Sequence, residues 1–126
     1  MSIRQVIIID FHGRIAAFTG KKTLEWKGHL VGNCYVIAGN ILVSENVIKE
    51  MSKTFEKFSE RPLPERLALA LEAGAKAGGD EGGIVSAALV TSSLQNANLN
   101  VDICVDFSKD PIRKLKEIGK FELNFI

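Results

Sequence analysis

The sequence predicts an α+β domain, a mainly antiparallel sheet with two long helices on one face. Three observations carry this. Short β-branched runs separated by turn residues fill the first third of the chain. Two consecutive segments in the middle repeat their apolar residues at helical spacing. A later stretch, "VDICVDF", alternates residue by residue, as a half-buried strand does.

Taken in order, residues 4–10 and 14–20 are β-prone runs joined through a Gly13 turn, which predicts a β-hairpin. A polar, Gly-punctuated loop follows, and then residues 34–40 form a third strand. From Ser44 the period changes. Val47, Ile48, Met51, Phe55 and Phe58 recur at helical spacing. Ser44 is placed to cap this helix, and Glu45 and Lys49 pair at i,i+4 outside it. "ERPLPE" is a break, with Pro64 suited to a first helical turn. Leu63, Leu67, Ala70, Leu71 and Gly74 then make the stripe of a second helix, whose small residues allow a close approach to a sheet. Val47, Met51, Phe55, Leu67 and Leu71 are expected to be buried against it.

Residues 83–93 are apolar without alternation, as in a strand covered on both faces. In residues 101–107, Val101, Ile103, Val105 and Phe107 face one way and Asp102, Cys104 and Asp106 the other. Asp110 caps and Pro111 starts a last helix, with Ile112, Leu115 and Ile118 inward. The tail 121–126 alternates and is expected to add a short strand. The predicted order is therefore β-β-β-α-α-β-β-α. Runs 6–9 and 84–90 look apolar on both faces, yet two helices cover only one. Something else must cover the other.

At 126 residues, 46% hydrophobic and 25% charged, the chain is expected to form a single domain, 1–126. Its formal charge of +1 offers no field to draw it to nucleic acid or an anionic membrane, so neither is an expected partner. No apolar run is long enough to cross a bilayer, and the N-terminus lacks a signal h-region. A cytoplasmic location is expected, with Cys34 and Cys104 as small buried hydrophobes. No cofactor motif is found.

The stretch "GGDEGG" (78–83) invites a phosphate-loop reading. Gly78 and Gly83 have the Walker separation, but Ile84 and Val85 stand where Lys and Ser or Thr are needed. The loop also runs from helix to strand, so its near end is the negative end of a helix dipole. Phosphate binding is rejected, and an EF-hand fails for want of its oxygen ligands. The plainer reading is that Gly78 or Gly79 adopts a left-handed conformation and ends the helix. That leaves Asp80 and Glu81 unexplained, because acidic residues are unfavourable beyond a helix C-terminus.

"RQVIIIDFHGRIAAFTG", "WKGHLVGNCYVIAGN" and "GGDEGGIVSAALV…VDICVDFSKDPIRKL" together resemble, in order and spacing, an uncharacterised Ntn-hydrolase-like family, domain of unknown function 1028. The likeness spans nearly the whole chain. More distantly, residues 6–20 are similar to the hairpin of asparaginase and γ-glutamyl transferase chains. The resemblance implies part of a four-layer αββα sandwich and amide hydrolysis by an N-terminal nucleophile. Members usually carry a further N-terminal segment before the Arg4-Gln5-Val6 stretch, so the chain is expected to be N-terminally truncated relative to the family. The family commonly has Arg at position 82, Gln at 84 and 85, Arg at 104 and Asp at 107. This chain has Gly82, Ile84, Val85, Cys104 and Phe107, and polar site positions have become apolar.

An Ntn hydrolase uses its free α-amine as base beside an N-terminal Thr, Ser or Cys. In the asparaginase-like register that position is Ile3, which cannot serve. Ser2 becomes N-terminal only if Met1 is removed. Ser2 and His29 are therefore the weak catalytic candidates, His29 reading first as a hydrogen-bonded loop histidine. Thr19, His29, Asn40, Asp80 and Ser86 are the candidate ligand contacts or structural caps. His12 is expected to be solvated. Asp102, Cys104 and Asp106 lack further ligands for a metal site, and none is assigned. No triad can be assembled. Two functions remain open: an amide hydrolase inactive until another chain completes it, or a non-catalytic homo-oligomeric assembly module. Either way, a second copy or a separate complementing chain is the expected partner.

Overall fold

The computed structural model describes residues 4–21 and 26–121. Its elements, in chain order, are β1 (Gln5–Ile9), β2 (Ile15–Thr19), β3 (Trp26–Gly32), β4 (Tyr35–Leu42), α1 (Asn46–Lys57), α2 (Leu63–Lys76), β5 (Ala87–Thr91), a 3-10 turn (Ala97–Leu99), β6 (Val101–Val105) and α3 (Pro111–Gly119). The α+β class holds. Rather than one sheet, the strands form three antiparallel pairs: β1–β2, β3–β4 and β5–β6.

The first hairpin closes through its own chemistry. The Asp10 carboxylate accepts the backbone N–H groups of His12 and Arg14, each at 2.9 Å, and Gly13 takes a φ of 77°. His12 is exposed in this turn. Strand β3 is one the sequence pattern missed. Gly28, His29 and Gly32 interrupt its alternation, and its register slips between Trp26 and Gly28. Tyr35 packs so tightly over Gly32 that a Cβ there would lie 2.0 Å from the ring. Cys34 turns the hairpin with a φ of 61° and is exposed, as is Cys104, so neither is the buried hydrophobe expected.

Helix α1 starts differently from expectation. Glu45 occupies the N-cap position in helical geometry without a side-chain cap bond, while the Ser44 hydroxyl accepts the Asn46 N–H one step earlier. Glu45 and Lys49 pair as predicted, at 3.1 Å. Pro64 lies in the first turn of α2. The helices cross closely at Gly74, where a Cβ would meet the Met51 side chain at 2.8 Å. Helix α1 packs on β3 and β4, α2 on β5, and α3 on β5 and β6. The core sits beneath the last pair: Ala68, Leu89, Ile103, Val105 and Leu115. Asp110 caps α3 by accepting the Arg113 N–H, followed by Pro111.

Several expected burials fail in one direction. Val47 and Phe55 are buried, but Met51, Leu67 and Leu71 are only half-buried, and Leu63 and Ile118 are exposed. Strand β5 is shorter than the apolar run that contains it and buries one face, through Leu89 and Thr91. Val90 on the other face is 69% exposed, and Ile8 of β1 is 59% exposed. The doubly apolar runs are thus left uncovered among the described residues. The predicted tail strand falls on 121–126, of which only Phe121 is described.

Two outcomes follow. Leu115 is fully buried, so Leu115→Ala should cost about 2–5 kcal/mol in denaturant unfolding. Leu71→Ala should cost clearly less, because its side chain is already part-solvated; equal losses would contradict this packing. The Asp10 carboxyl is held below its ordinary value, first by the Arg14 backbone N–H and then by the Arg14 side chain and His12 N–H, against some desolvation. A depressed folded-state pKa contributes stability that is present above the unfolded value and lost as pH falls through the folded one. In an NMR titration the His12 and Arg14 amides should shift together with a midpoint below about 3.9, the ordinary Asp value. A midpoint at or above it would refute the turn geometry.

Candidate functional site

Gln5 is the residue that organises the polar candidates, and it was not among them. Its side-chain amide nitrogen donates to the Thr19 hydroxyl at 2.9 Å and to the carbonyls of Gly28 and Gly39, each at 3.0 Å. Its two hydrogens are therefore shared among three acceptors. Its carbonyl accepts Asn40 Nδ2 at 3.4 Å. Gly28 and Gly39 are cross-strand partners in β3 and β4. A Cβ on Gly28 would stand 2.7 Å from the Trp26 ring, and one on Gly39 2.5 Å from Leu42. Without side chains, the pair leaves both room for those neighbours and a path to the backbone for Gln5.

The Thr19 hydroxyl also meets His29 Nδ1 at 2.9 Å. A hydroxyl accepting from Gln5 keeps both a proton and a second lone pair, so the direction of the Thr19–His29 bond follows the imidazole tautomer. The structure thus brings Thr19, His29 and Asn40 into one group around Gln5, with His29 and Asn40 exposed and Thr19 half-buried. A hydroxyl within hydrogen-bond reach of an imidazole meets the distance criterion for a nucleophile and its base. The orienting third group is missing, however: no carboxylate is bonded to His29 among the described residues. Ser2 lies outside the described residues.

Asp80 and Ser86 are placed elsewhere. Gly78 and Gly79 take φ values of 120° and 60°, and Gly79 N–H closes on the Gly74 carbonyl at 3.0 Å, so the glycines end α2 as expected. The Asp80 carboxylate accepts the Gly82 N–H at 2.7 Å. That bond explains an acidic residue past a helix C-terminus: it shapes the loop. The loop then docks on the end of β4, through Glu81 N–H to the Ile41 carbonyl at 2.9 Å and Val43 N–H to the Gly79 carbonyl at 3.0 Å. Ile41 has a φ of 55°, a strained conformation for a β-branched residue. It stands between Asn40 of the polar group and Leu42, the bridge partner of Asp80. Asp80 and Ser86 line a cleft of about 520 Å³ beside α1 and α2, separate from the Gln5 group. Ser86 is exposed, with no hydrogen bond among the described residues.

A further hollow of about 580 Å³ at the start of α3 carries Lys76, Lys109, Arg113 and Lys116. Glu72 engages both Lys76 and Lys116, Arg113 pairs with Glu117, and the Asp110 carboxylate fills the helix N-terminus. Lys76, Arg113 and Lys116 are thus each matched by a carboxylate, while Lys109 is exposed. Asp102, Cys104 and Asp106 are exposed, and among the described residues no three His, Cys, Asp or Glu side chains are grouped to hold a metal ion. No helix is long and apolar enough to cross a membrane.

Residues 1–115 match the model of a family of unknown function, DUF1028, and the chain belongs to that family. Among solved structures it is similar to the crystal structure of protein SPO2555 from Silicibacter pomeroyi, also assigned to DUF1028, with a TM-score of 0.81 and 28% identity. The likeness covers 92% of this chain but 49% of that one, so the chain spans about half the relative's length. No curated protein matches it.

Removing the Gln5 amide leaves the Gly28 and Gly39 carbonyls without that donor. Gln5→Ala should therefore cost about 1–3 kcal/mol in denaturant unfolding. A near-neutral result would mean the β1–β2 hairpin is held on β3–β4 by other forces.

Proposed function

We propose that this chain is the C-terminal part of an Ntn-hydrolase-like unit, one that hydrolyses an amide or peptide-like bond only when another polypeptide completes it. The observation that carries this reading is the Gln5–Thr19–His29–Asn40 group. It is a set of fixed polar contacts between neighbouring strands, suited to holding an amide substrate, with no activated nucleophile beside it among the described residues. Gln5 donates to the Thr19 oxygen, which draws electron density away from the atom that would have to attack. In this reading His29 and Asn40 position substrate or a proton. The nucleophile and its α-amine base come from an N-terminus, either Ser2 after loss of Met1 or that of the completing chain. The resemblance set out above supports the class of reaction. Coverage of 49% of the relative supports the need for completion.

The rival reading is a non-catalytic homo-oligomer. The uncovered β1 side chains favour it, because monomers rarely leave large apolar patches in water. Light scattering at micromolar concentration separates the two. A symmetric oligomer without amidase activity, alone or complemented, would support the assembly module.

With Met1 retained, the chain alone should turn over no simple amide substrate. Electrophilic amide inhibitors should leave its N-terminus unlabelled. Stoichiometric labelling of Ser2 in the isolated chain would show that it needs no completion.

A further inference from the structure

Between β4 and β5 runs a trough that none of the described elements fills. Strand β4 is bonded to β3 along one edge and β5 to β6 along one edge. Among the described residues neither has a strand on its other edge. At one end of the trough, of about 380 Å³, residues 35–38 of β4 stand across from 88–90 of β5. At the other end, the 520 Å³ cleft, Leu42 stands across from Ser86 and Ala87. Met51 and Leu71 line both, so the two spaces share one helical floor. Ile7 of β1 overhangs it. The docked glycine loop closes the Leu42 end by bonding Ile41 and Val43.

We infer that this trough accepts an extended apolar segment of another polypeptide, one equivalent to the half of the Silicibacter pomeroyi relative that this chain does not span. The inference rests on the proposed need for completion and names the surface that meets it. An apolar trough walled by strand edges presents backbone N–H and C=O groups where an apolar side chain alone cannot satisfy them. A strand does both jobs, since its backbone bonds the edges while alternate side chains fill the floor and the overhang. The 35–38 end carries no charged residue, so apolar side chains are selected there. A second copy fits poorly, because it brings three hairpins already paired and the same empty trough. The linings at the two ends show that β4 and β5 run in opposite senses. A single inserted strand is then antiparallel to one of them, and an inserted hairpin to both.

The test is co-expression of the full chain with the part of the relative's chain outside the matched half. A one-to-one complex is expected by native mass spectrometry. In it, amide exchange at residues 35–38 and 88–90 should be slower by about tenfold or more. Ala88→Arg and Ala38→Arg should each abolish the complex, while Asp102→Arg, on the exposed face of β6, leaves it intact. Circular dichroism of each variant alone checks that it folds. No complex, a complex indifferent to both Arg substitutions, or a homodimer dissolved by Ala88→Arg would each overturn the inference. Complex formation is read by mass and not by turnover. A complex without amidase activity would therefore defeat the proposed reaction and leave the docking surface standing.

Discussion

The structure depends on two helices serving as one floor for two strand pairs that do not bond to each other. The close crossing at Gly74 and Met51 makes α1 and α2 a single surface. Each strand pair is then locked to it by different means. Tyr35 anchors β4: its hydroxyl donates to Glu56 at 2.7 Å and meets Ser52 at 2.6 Å, while its ring leans on Phe55 with centroids 4.9 Å apart. Desolvation of that hydroxyl pushes its pKa up, with the Glu56 carboxylate acting in the same direction. Arg66 of α2 stacks over Phe55 and donates to its carbonyl at 2.9 Å, joining the two helices at the same point. On the other side Ala68, fully buried and small, brings α2 against Leu89 of β5. Because each strand is fixed to the floor rather than to the other strand, the gap between them holds no strand among the described residues.

The β1–β2 hairpin is held by a different balance. Its apolar side chains are only partly covered, with Ile8 59% exposed and Val6, Ile7 and Ile9 between 40% and 48%. Apolar burial therefore contributes less to its attachment than a filled interface would. The Gln5 hydrogen bonds add to it, each contributing on the order of 1 kcal/mol net. The Thr19–His29 contact adds a second polar link, from β2 to β3. The same accounting explains why Met51, Leu67 and Leu71 stop at half-burial although their helical spacing is regular.

Periodicity placed α1, α2, α3 and β6, because each buries one stripe or one face, while β1 and β2 were found from their β-branched runs and the Gly13 turn. It failed at β3, where Gly28 and Gly32 are selected by the rings of Trp26 and Tyr35 rather than by the solvent. It overestimated β5, because an unbroken apolar run cannot say whether its second face is filled from within the chain. The candidate site was legible in pieces. Thr19 and Asn40 were found as polar residues near strand ends and His29 as a loop histidine; the three do converge, though His29 lies within β3. Gln5 was passed over because a Gln at the start of a strand carries no chemical signature. Its role comes from two glycines far along the chain meeting beneath it. Asp80 was rightly odd for its position, but the oddity marked loop shape rather than a ligand. The two cysteines were assigned by residue type, and turn geometry at Cys34 and strand alternation at Cys104 overruled that.

Strand β4 links the polar group to the trough, and its residues change task along its length. Tyr35 grips the floor, residues 36–38 form the trough wall, Gly39 and Asn40 serve Gln5, and Ile41 receives the glycine loop. The strained Ile41 marks the point where the strand turns from one task to the next. A segment pairing with β4 along 36–38 and continuing in the same direction would meet the docked loop at Gly79 and Asp80, in a cleft that the Gln5 group does not line.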